Sequence, residues 1–250
     1  MKLLRIALML LLLPFAARAQ DIASRVTDGY ADSGGVRIHY VTLGNPKEPP
    51  VLMIHGFPDY WYSWRALMAD LAHDHFTIAI DQRGYNLSDQ PAGEQNYQLK
   101  YLVGDVAAVL HQLGLAKATV VGHDWGGAVA WQVAIDRPEL VDRLVILNLP
   151  HLRGLRRELA TNPQQQKNSA YARFFQQDDA WKKISVDKLV DTAVPDKADV
   201  DTREKYTQAL QRSSIEAMPG YYRQNYRVGH FVLRDEPAQV IPIVRSWLAK

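Results

Sequence analysis

The turn Gly122-His123-Asp124-Trp125-Gly126-Gly127 constrains this sequence more than any other stretch. The β-branched run at 118–121 before it predicts a strand, and residues 128–135 after it predict a helix. Glycines on both sides of Asp124 allow a very sharp strand-to-helix turn, which lifts the Asp124 side chain above the sheet at a helix N-terminus. Such an aspartate is either an ordinary helix N-cap or a covalent nucleophile, and the turn alone leaves both open.

Strands alternate with helices over the first 150 residues, which indicates right-handed crossovers and a mainly parallel sheet. Two continuous apolar runs, at 51–54 and 76–80, are typical of strands buried on both faces. The other predicted elements are a hairpin at 26–43, a strand at 143–149, and helices at 61–71, 99–113 and 128–136. The alternation of strands and helices stops at residues 151–226, whose pattern predicts a polar, helical insertion.

The first 19 residues have the pattern of a secretory signal. Lys2 and Arg5 precede an apolar run, and Ala17-Arg18-Ala19 forms a small-residue cleavage site. The run is shorter than the roughly 20 residues that a membrane span needs. We therefore expect an exported protein, periplasmic or secreted, with no stable membrane span after cleavage.

Composition argues against nucleic-acid binding and excludes structures or sites that need cysteine. A net charge of +2 with 22% charged residues gives no electrostatic reason to expect nucleic-acid binding. The sequence has no cysteine, which excludes a disulfide framework and a thiolate metal site.

Four motifs, in this order along the chain, resemble the epoxide hydrolase and dehalogenase branch of the α/β-hydrolase superfamily. They are HGFPDYWYSWR at 55–65, DQRGYNLSD at 81–89, GHDWGG at 122–127 and GHF at 229–231. The resemblance implies the α/β-hydrolase fold, a mainly parallel twisted sheet flanked by helices, with a helical cap inserted after the strand at 143–149. The domains expected are a signal peptide at 1–19, the first part of the core at 20–150, the cap at 151–226, and a core remnant at 227–250. That remnant carries the histidine loop and a C-terminal helix.

The resemblance also implies roles for residues of the core. Asp124 is the expected nucleophile, and His230 is the expected base that activates water for hydrolysis of the ester. The backbone N–H groups of Phe57 and Trp125 are the expected oxyanion hole. His55, Pro58 and Trp125 are expected at the substrate pocket, where His55 mainly supports the loop that carries it. The resemblance implies that no metal or organic cofactor is needed.

The cap distinguishes the two branches. Opening an epoxide creates an alkoxide that needs hydroxyl donors, and the resemblance assigns these to Tyr171 and Tyr222, although Tyr221 and simple packing stay open as alternatives. Trp125 is common to both branches, but the His-Trp pair of haloacetate dehalogenases is absent from 170–173. The favoured function is therefore hydrolysis of a small-molecule epoxide to a diol. The alternatives are a haloalkane or haloacetate dehalogenase acting on an organohalide, and a crippled or non-catalytic homologue.

The family's catalytic acid has no obvious counterpart in this sequence. The second cap segment ends at Tyr226 and the histidine loop starts at Val228, so a strand-helix-strand unit of about 50 residues is missing between them. The C-terminal part of the sheet is therefore expected to be truncated, and the acid of the triad is unknown. Asn148, where some dehalogenases carry the acid, is an amide. We expect alkylation of Asp124 to proceed and hydrolysis of the ester to be slow.

Overall fold

The computed structural model describes residues 22–226. The expected signal peptide, His230 and the C-terminal helix expected at 240–248 lie outside these described residues.

One six-stranded sheet forms the centre of the fold. Its strands are β1 Thr27–Asp32, β2 Arg37–Leu43, β3 Pro50–Ile54, β4 Phe76–Ile80, β5 Ala118–His123 and β6 Val141–Leu147, in the spatial order β1-β2-β4-β3-β5-β6. The β1–β2 hairpin is antiparallel and β2 pairs antiparallel with β4, whereas β3 pairs parallel with both β4 and β5, and β5 pairs parallel with β6. The α/β class and the mainly parallel sheet predicted from the sequence are confirmed.

Buried apolar side chains hold the central strands. Leu52, Met53 and Ile54 of β3 and Ile78 of β4 have no exposed surface. Helices cover the sheet because a parallel strand that is buried on both faces needs an apolar layer on each side. These core helices are α1 Arg65–Leu71, α2 Leu99–Gln112 and α3 Trp125–Asp136.

Two elements differ from their predicted form in ways that have a visible physical cause. The helix predicted at 61–71 is a 3-10 turn, Trp61–Trp64, followed by α1. The Trp61 N–H donates to the Asp81 carboxylate (2.9 Å) rather than continuing an α-helical pattern. The strand predicted at 143–149 spans Val141–Leu147, because Asn148 takes a left-handed φ of 56° that ends the extended backbone.

All regular structure described after β6 is helical. It comprises α4 Leu152–Thr161, α5 Pro163–Asn168, α6 Ala170–Phe175, a 3-10 turn at Ala180–Lys183, α7 Val186–Ala193, α8 Val200–Arg212 and α9 Met218–Tyr226. The last helix returns to the core, where Asn225 accepts a hydrogen bond from Leu99 N (2.9 Å) and donates one to Tyr97 O (2.9 Å). Within residues 22–226, no helix has the length and apolar character required to cross a membrane.

A buried ionic network joins the hairpin to the end of β4. His39 is fully buried, with Nδ1 at 2.7 Å from Asp81 Oδ2 and Nε2 at 2.9 Å from Asp28 Oδ1. Burial lowers the pKa of His39, but the hydrogen bonds and charges of Asp81 and Asp28 outweigh it and hold the pKa above its ordinary value. The protonated imidazole can donate to both carboxylates at once.

His39→Gln should therefore destabilise the fold in a pH-dependent way. Because the pKa of His39 is raised by folding, its stabilisation is complete below the unfolded-state pKa of about 6.5 and is lost as pH rises through the folded pKa. We expect a loss of about 3 kcal/mol in the free energy of unfolding near pH 6, which shrinks at alkaline pH. Urea unfolding across this pH range measures it.

His75→Gln is the matched control, because His75 contacts Asp74 (2.7 Å) at a partly exposed site. We expect this change to alter the free energy of unfolding by less than about 1 kcal/mol. Equal losses for the two variants, or a His39 effect that does not vary with pH, would contradict the assignment.

Candidate active site

The turn after β5 holds Asp124 in a strained backbone conformation. Asp124 has φ 52° and ψ −121°, and α3 begins at the next residue. A side-chain carbon at Gly126 would overlap the carbonyl of Ile54, and one at Gly122 would overlap the backbone of Gly126. Only glycine fits these two positions, so the two glycines allow β3, β5 and α3 to approach closely around Asp124.

Two backbone N–H groups hold the Asp124 carboxylate. Phe57 N donates to Oδ1 over 3.0 Å, and the backbone N–H of Trp125 also hydrogen-bonds to this carboxylate. Desolvation raises the pKa of Asp124, and these hydrogen bonds and the charge of His123 offset only part of that effect. The two groups expected as the oxyanion hole therefore converge on the expected nucleophile.

His55 supports the loop that carries Phe57. Its Nδ1 lies 2.8 Å from Gly56 O, and its Nε2 accepts a hydrogen bond from Gln82 N over 3.0 Å. These partners fix the Nδ1-protonated, neutral tautomer. Burial lowers the pKa of His55 despite the nearby carboxylates of Asp81, Asp59 and Asp124. This placement agrees with a supporting role.

A cavity of about 410 Å³ opens above Asp124, within the range typical of small-molecule sites. Asp124 and Phe57 line it from the core, and Tyr171, Phe175 and Tyr222 line it from the cap. Phe174 and residues between 183 and 192 complete the described lining.

The three residues expected at the substrate pocket do not line this cavity as residues 22–226 form it. His55, Pro58 and Trp125 are all buried in the protein. Their assignment to the substrate pocket stays a prediction. Trp125 contacts Tyr222, which does line the cavity, with 5.0 Å between the ring centroids.

Tyr222 is held at the cavity by aromatic neighbours and a hydrogen bond. It is only 2% exposed and packs edge-on against Phe57, with 6.0 Å between the ring centroids. The side chain of Trp125 hydrogen-bonds to it, and indole offers only an N–H donor, so the Tyr222 hydroxyl accepts. Tyr222 and Asp124 therefore line the same cavity from opposite parts of the fold, the cap and the core.

Tyr171 is placed near Tyr222 but is more open. Its side chain is 53% exposed, and the two ring centroids are 6.4 Å apart. For both tyrosines, desolvation and then the negative charge of Asp124 raise the pKa of the phenol. Both groups therefore carry their protons at neutral pH and can act as donors.

Tyr221 belongs to the core instead. It is fully buried, and its hydroxyl donates to Arg83 O over 2.8 Å. The sequence left open whether Tyr221 or Tyr222 was the cap donor. The structure brings Tyr222 to the cavity with Asp124 and leaves Tyr221 bound to the backbone.

Apart from Asp124, no carboxylate of the described part of the chain lines the cavity. Asp59 accepts from the Tyr206 hydroxyl (2.7 Å), and Asp105 is paired with Arg83. Asn148 Nδ2 lies 3.4 Å from His123 Nε2 at the end of β6. The predicted gap in the triad therefore stays a prediction, since His230 lies outside the described residues.

Sequence reasoning missed the part of the lining that comes from residues 174–192. These residues include Phe174, Lys183, Ile184, Lys188, Leu189 and Thr192. The available signal was the amphipathic pattern of α7, where Lys188 and Thr192 fall one helical turn apart.

Comparison with known proteins gives one family. The chain matches the alpha/beta hydrolase fold family over residues 49–224. It is 34% identical over 229 residues to the AB hydrolase superfamily protein YfhM of Bacillus subtilis, and this match covers 87% of this chain and 79% of that protein. It is 47% identical over 141 residues to epoxide hydrolase 1 of Caenorhabditis elegans, across 56% of this chain. The chain spans only 35% of the length of that nematode protein.

A solved structure shows the same likeness. It is a variant of an epoxide hydrolase from Bacillus megaterium in complex with its product, (R)-3-[1]naphthyloxy-propane-1,2-diol. The TM-score is 0.73 at 34% identity, over 78% of this chain and 71% of that one.

Gly56→Ala tests whether the two loops must touch at Asp124. A side-chain carbon at Gly56 would overlap the side chain of Asp124, so the loop or the turn has to shift. We expect a loss of about 2 kcal/mol in the free energy of unfolding, measured in urea. Gly154→Ala is the control, because Gly154 lies in α4 with open space around it and should gain up to about 1 kcal/mol. A Gly56→Ala protein as stable as the parent would refute the close approach.

Proposed function

The chain belongs to the alpha/beta hydrolase fold family, and from that premise we propose that it hydrolyses epoxides to diols through an ester formed on Asp124. The observation that carries the proposal is one cavity in which a carboxylate faces two protonated phenols, those of Tyr171 and Tyr222. A nucleophile and acid groups on one small cavity suit the opening of a strained ring, which needs attack on carbon and a proton for oxygen.

In the first step a carboxylate oxygen of Asp124 attacks an epoxide carbon. The carbon–oxygen bond of the ring breaks, and its electron pair stays on the epoxide oxygen. Tyr222 and Tyr171 both hydrogen-bond to that oxygen, and one of the two phenols transfers its proton to it and becomes a tyrosinate. The product is a glycol monoester of Asp124, and no metal or organic cofactor takes part.

In the second step water attacks the carbonyl carbon of the ester. The family resemblance gives the role of base to His230. The backbone N–H groups of Phe57 and Trp125 can donate hydrogen bonds to the oxyanion that forms, because they already hydrogen-bond to the Asp124 carboxylate. Collapse of the oxyanion breaks the ester, and the departing alkoxide takes the proton of the new Asp124 carboxyl to give the diol. The proton that His230 took from water returns to the tyrosinate, which restores the starting state.

Dehalogenation is supported less well by the same contacts. Stabilising a departing halide calls for indole N–H donors, but the Trp125 side chain is already hydrogen-bonded to Tyr222. The relatives named as epoxide hydrolases, and the diol product bound by the Bacillus megaterium protein, also support epoxides. A product assay on aryl glycidyl ethers beside short haloalkanes and haloacetate tests the choice. Diol formation is expected, and halide release without diol would overturn it.

Tyr222→Phe should slow ring opening by about 10²-fold, because it removes a preorganised donor to the developing alkoxide. Single-turnover epoxide consumption, followed by chromatography, measures the rate. Tyr221→Phe makes the same chemical change one residue away, at a hydroxyl that binds Arg83 O. It should stay within a few-fold of the parent rate. Equal effects of the two substitutions would remove Tyr222 from the proposed site.

The ester is expected to accumulate. If His230 lacks an acid partner, ester hydrolysis should be slowed by about 10⁴-fold, the loss known for an acid-to-amide change in a serine protease, whereas alkylation needs no base. Intact-protein mass spectrometry after mixing with excess epoxide should show close to one adduct per chain, with slow release of diol. Rapid multiple turnover without a lasting adduct would contradict this and would mean that a carboxylate reaches His230.

A further inference from the structure

One side of the cavity carries positive charge. Lys183, from the 3-10 turn, and Lys188, from α7, belong to the lining, and Asp124 is the one acidic residue among the described lining residues. The apolar part of the same side comes from Ile184 and Leu189. A molecule bound here therefore meets aromatic and aliphatic walls together with the side chains of two exposed lysines.

Helix α7 separates its charges. Lys188 and Thr192 face the cavity above Asp124, whereas Asp187 and Asp191 line a different surface depression. Residues four positions apart share a face of a helix, so each pair marks one face. The helix thus keeps its own carboxylates away from the lysine that lines the cavity.

The two lysines are not equivalent. Lys183 Nζ forms an ion pair with Asp179 Oδ2 (3.1 Å) on the surface. Lys188 forms no ion pair with any carboxylate among residues 22–226. Lys188 is therefore the lysine at this cavity that can bind an anionic ligand without giving up an ion pair of the described residues.

Resting on the proposed function, we propose that the substrates of this site are epoxides that carry a carboxylate remote from the ring. Lys188 binds the carboxylate, and the aromatic walls take the apolar body between the two ends. The anion must lie away from Asp124, because two like charges at the base of the cavity would repel each other. The cavity volume of about 410 Å³ accommodates an aryl glycidyl ether with such a group.

A matched pair of epoxides tests this inference: 4-(oxiran-2-ylmethoxy)benzoate and the corresponding benzamide, which have the same shape and differ in charge. The readout is the rate of adduct formation on the intact protein, which does not depend on hydrolysis of the ester. At low salt the parent protein should react about two- to fivefold faster with the benzoate, the size expected of an exposed ion pair. The preference should fade in about 0.5 M NaCl.

Two lysine variants assign the effect. Lys188→Gln should equalise the rates of the two epoxides. Lys182→Gln removes the same charge from the neighbouring surface, where Lys182 Nζ lies 5.6 Å from the ring centroid of Trp181 and outside the cavity lining. It should keep the preference for the benzoate.

The outcomes are distinct. If both epoxides alkylate the protein at equal rates, or if the preference survives Lys188→Gln, the inference is wrong and the proposed function stands. If neither epoxide forms an adduct, the proposed function itself fails.

Discussion

The structure depends on one arrangement, a carboxylate held by two backbone N–H groups across two loops. The turn after β5 lifts Asp124 into a left-handed conformation, and the loop after β3 brings Phe57 N to 3.0 Å from its Oδ1. Glycines at 56, 122 and 126 are needed because any side-chain carbon there would overlap a neighbour. The strain of one residue is thus maintained by the packing of two parallel strands.

The cap completes this arrangement with hydroxyl groups. Helix α9 is tied to the core through Asn225 and through the Tyr221 hydroxyl, and this places Tyr222 over Asp124. Burial raises the pKa of both the carboxyl and the phenol. The phenol therefore stays protonated, while the carboxylate is poorly solvated and correspondingly reactive. A proton donor and a nucleophile result from the same desolvated cavity.

The sequence predicted what depends on local patterns and missed what depends on tertiary packing. Short runs of residues predicted strands β3 and β4 and the turn at Asp124, and the structure contains all three. Tyr221 and Tyr222 are neighbours on a helix, about 100° apart, so packing alone decides which faces the cavity. His55 is held by hydrogen bonds in the loop that carries Phe57, and Trp125 packs against Tyr222. Lys188 escaped prediction because the pattern of α7 places it on one helix face with Thr192 but does not show that this face meets Asp124.

Locating the covalent adduct tests the central claim most directly. After reaction with an aryl glycidyl ether, proteolysis and mass spectrometry should find the added mass on Asp124. Asp124→Asn should form no adduct, and it is the matched variant because the amide has nearly the same size and shape as the carboxylate. Modification of another carboxylate such as Asp59, or an equal yield of adduct in the Asp124→Asn protein, would contradict the account.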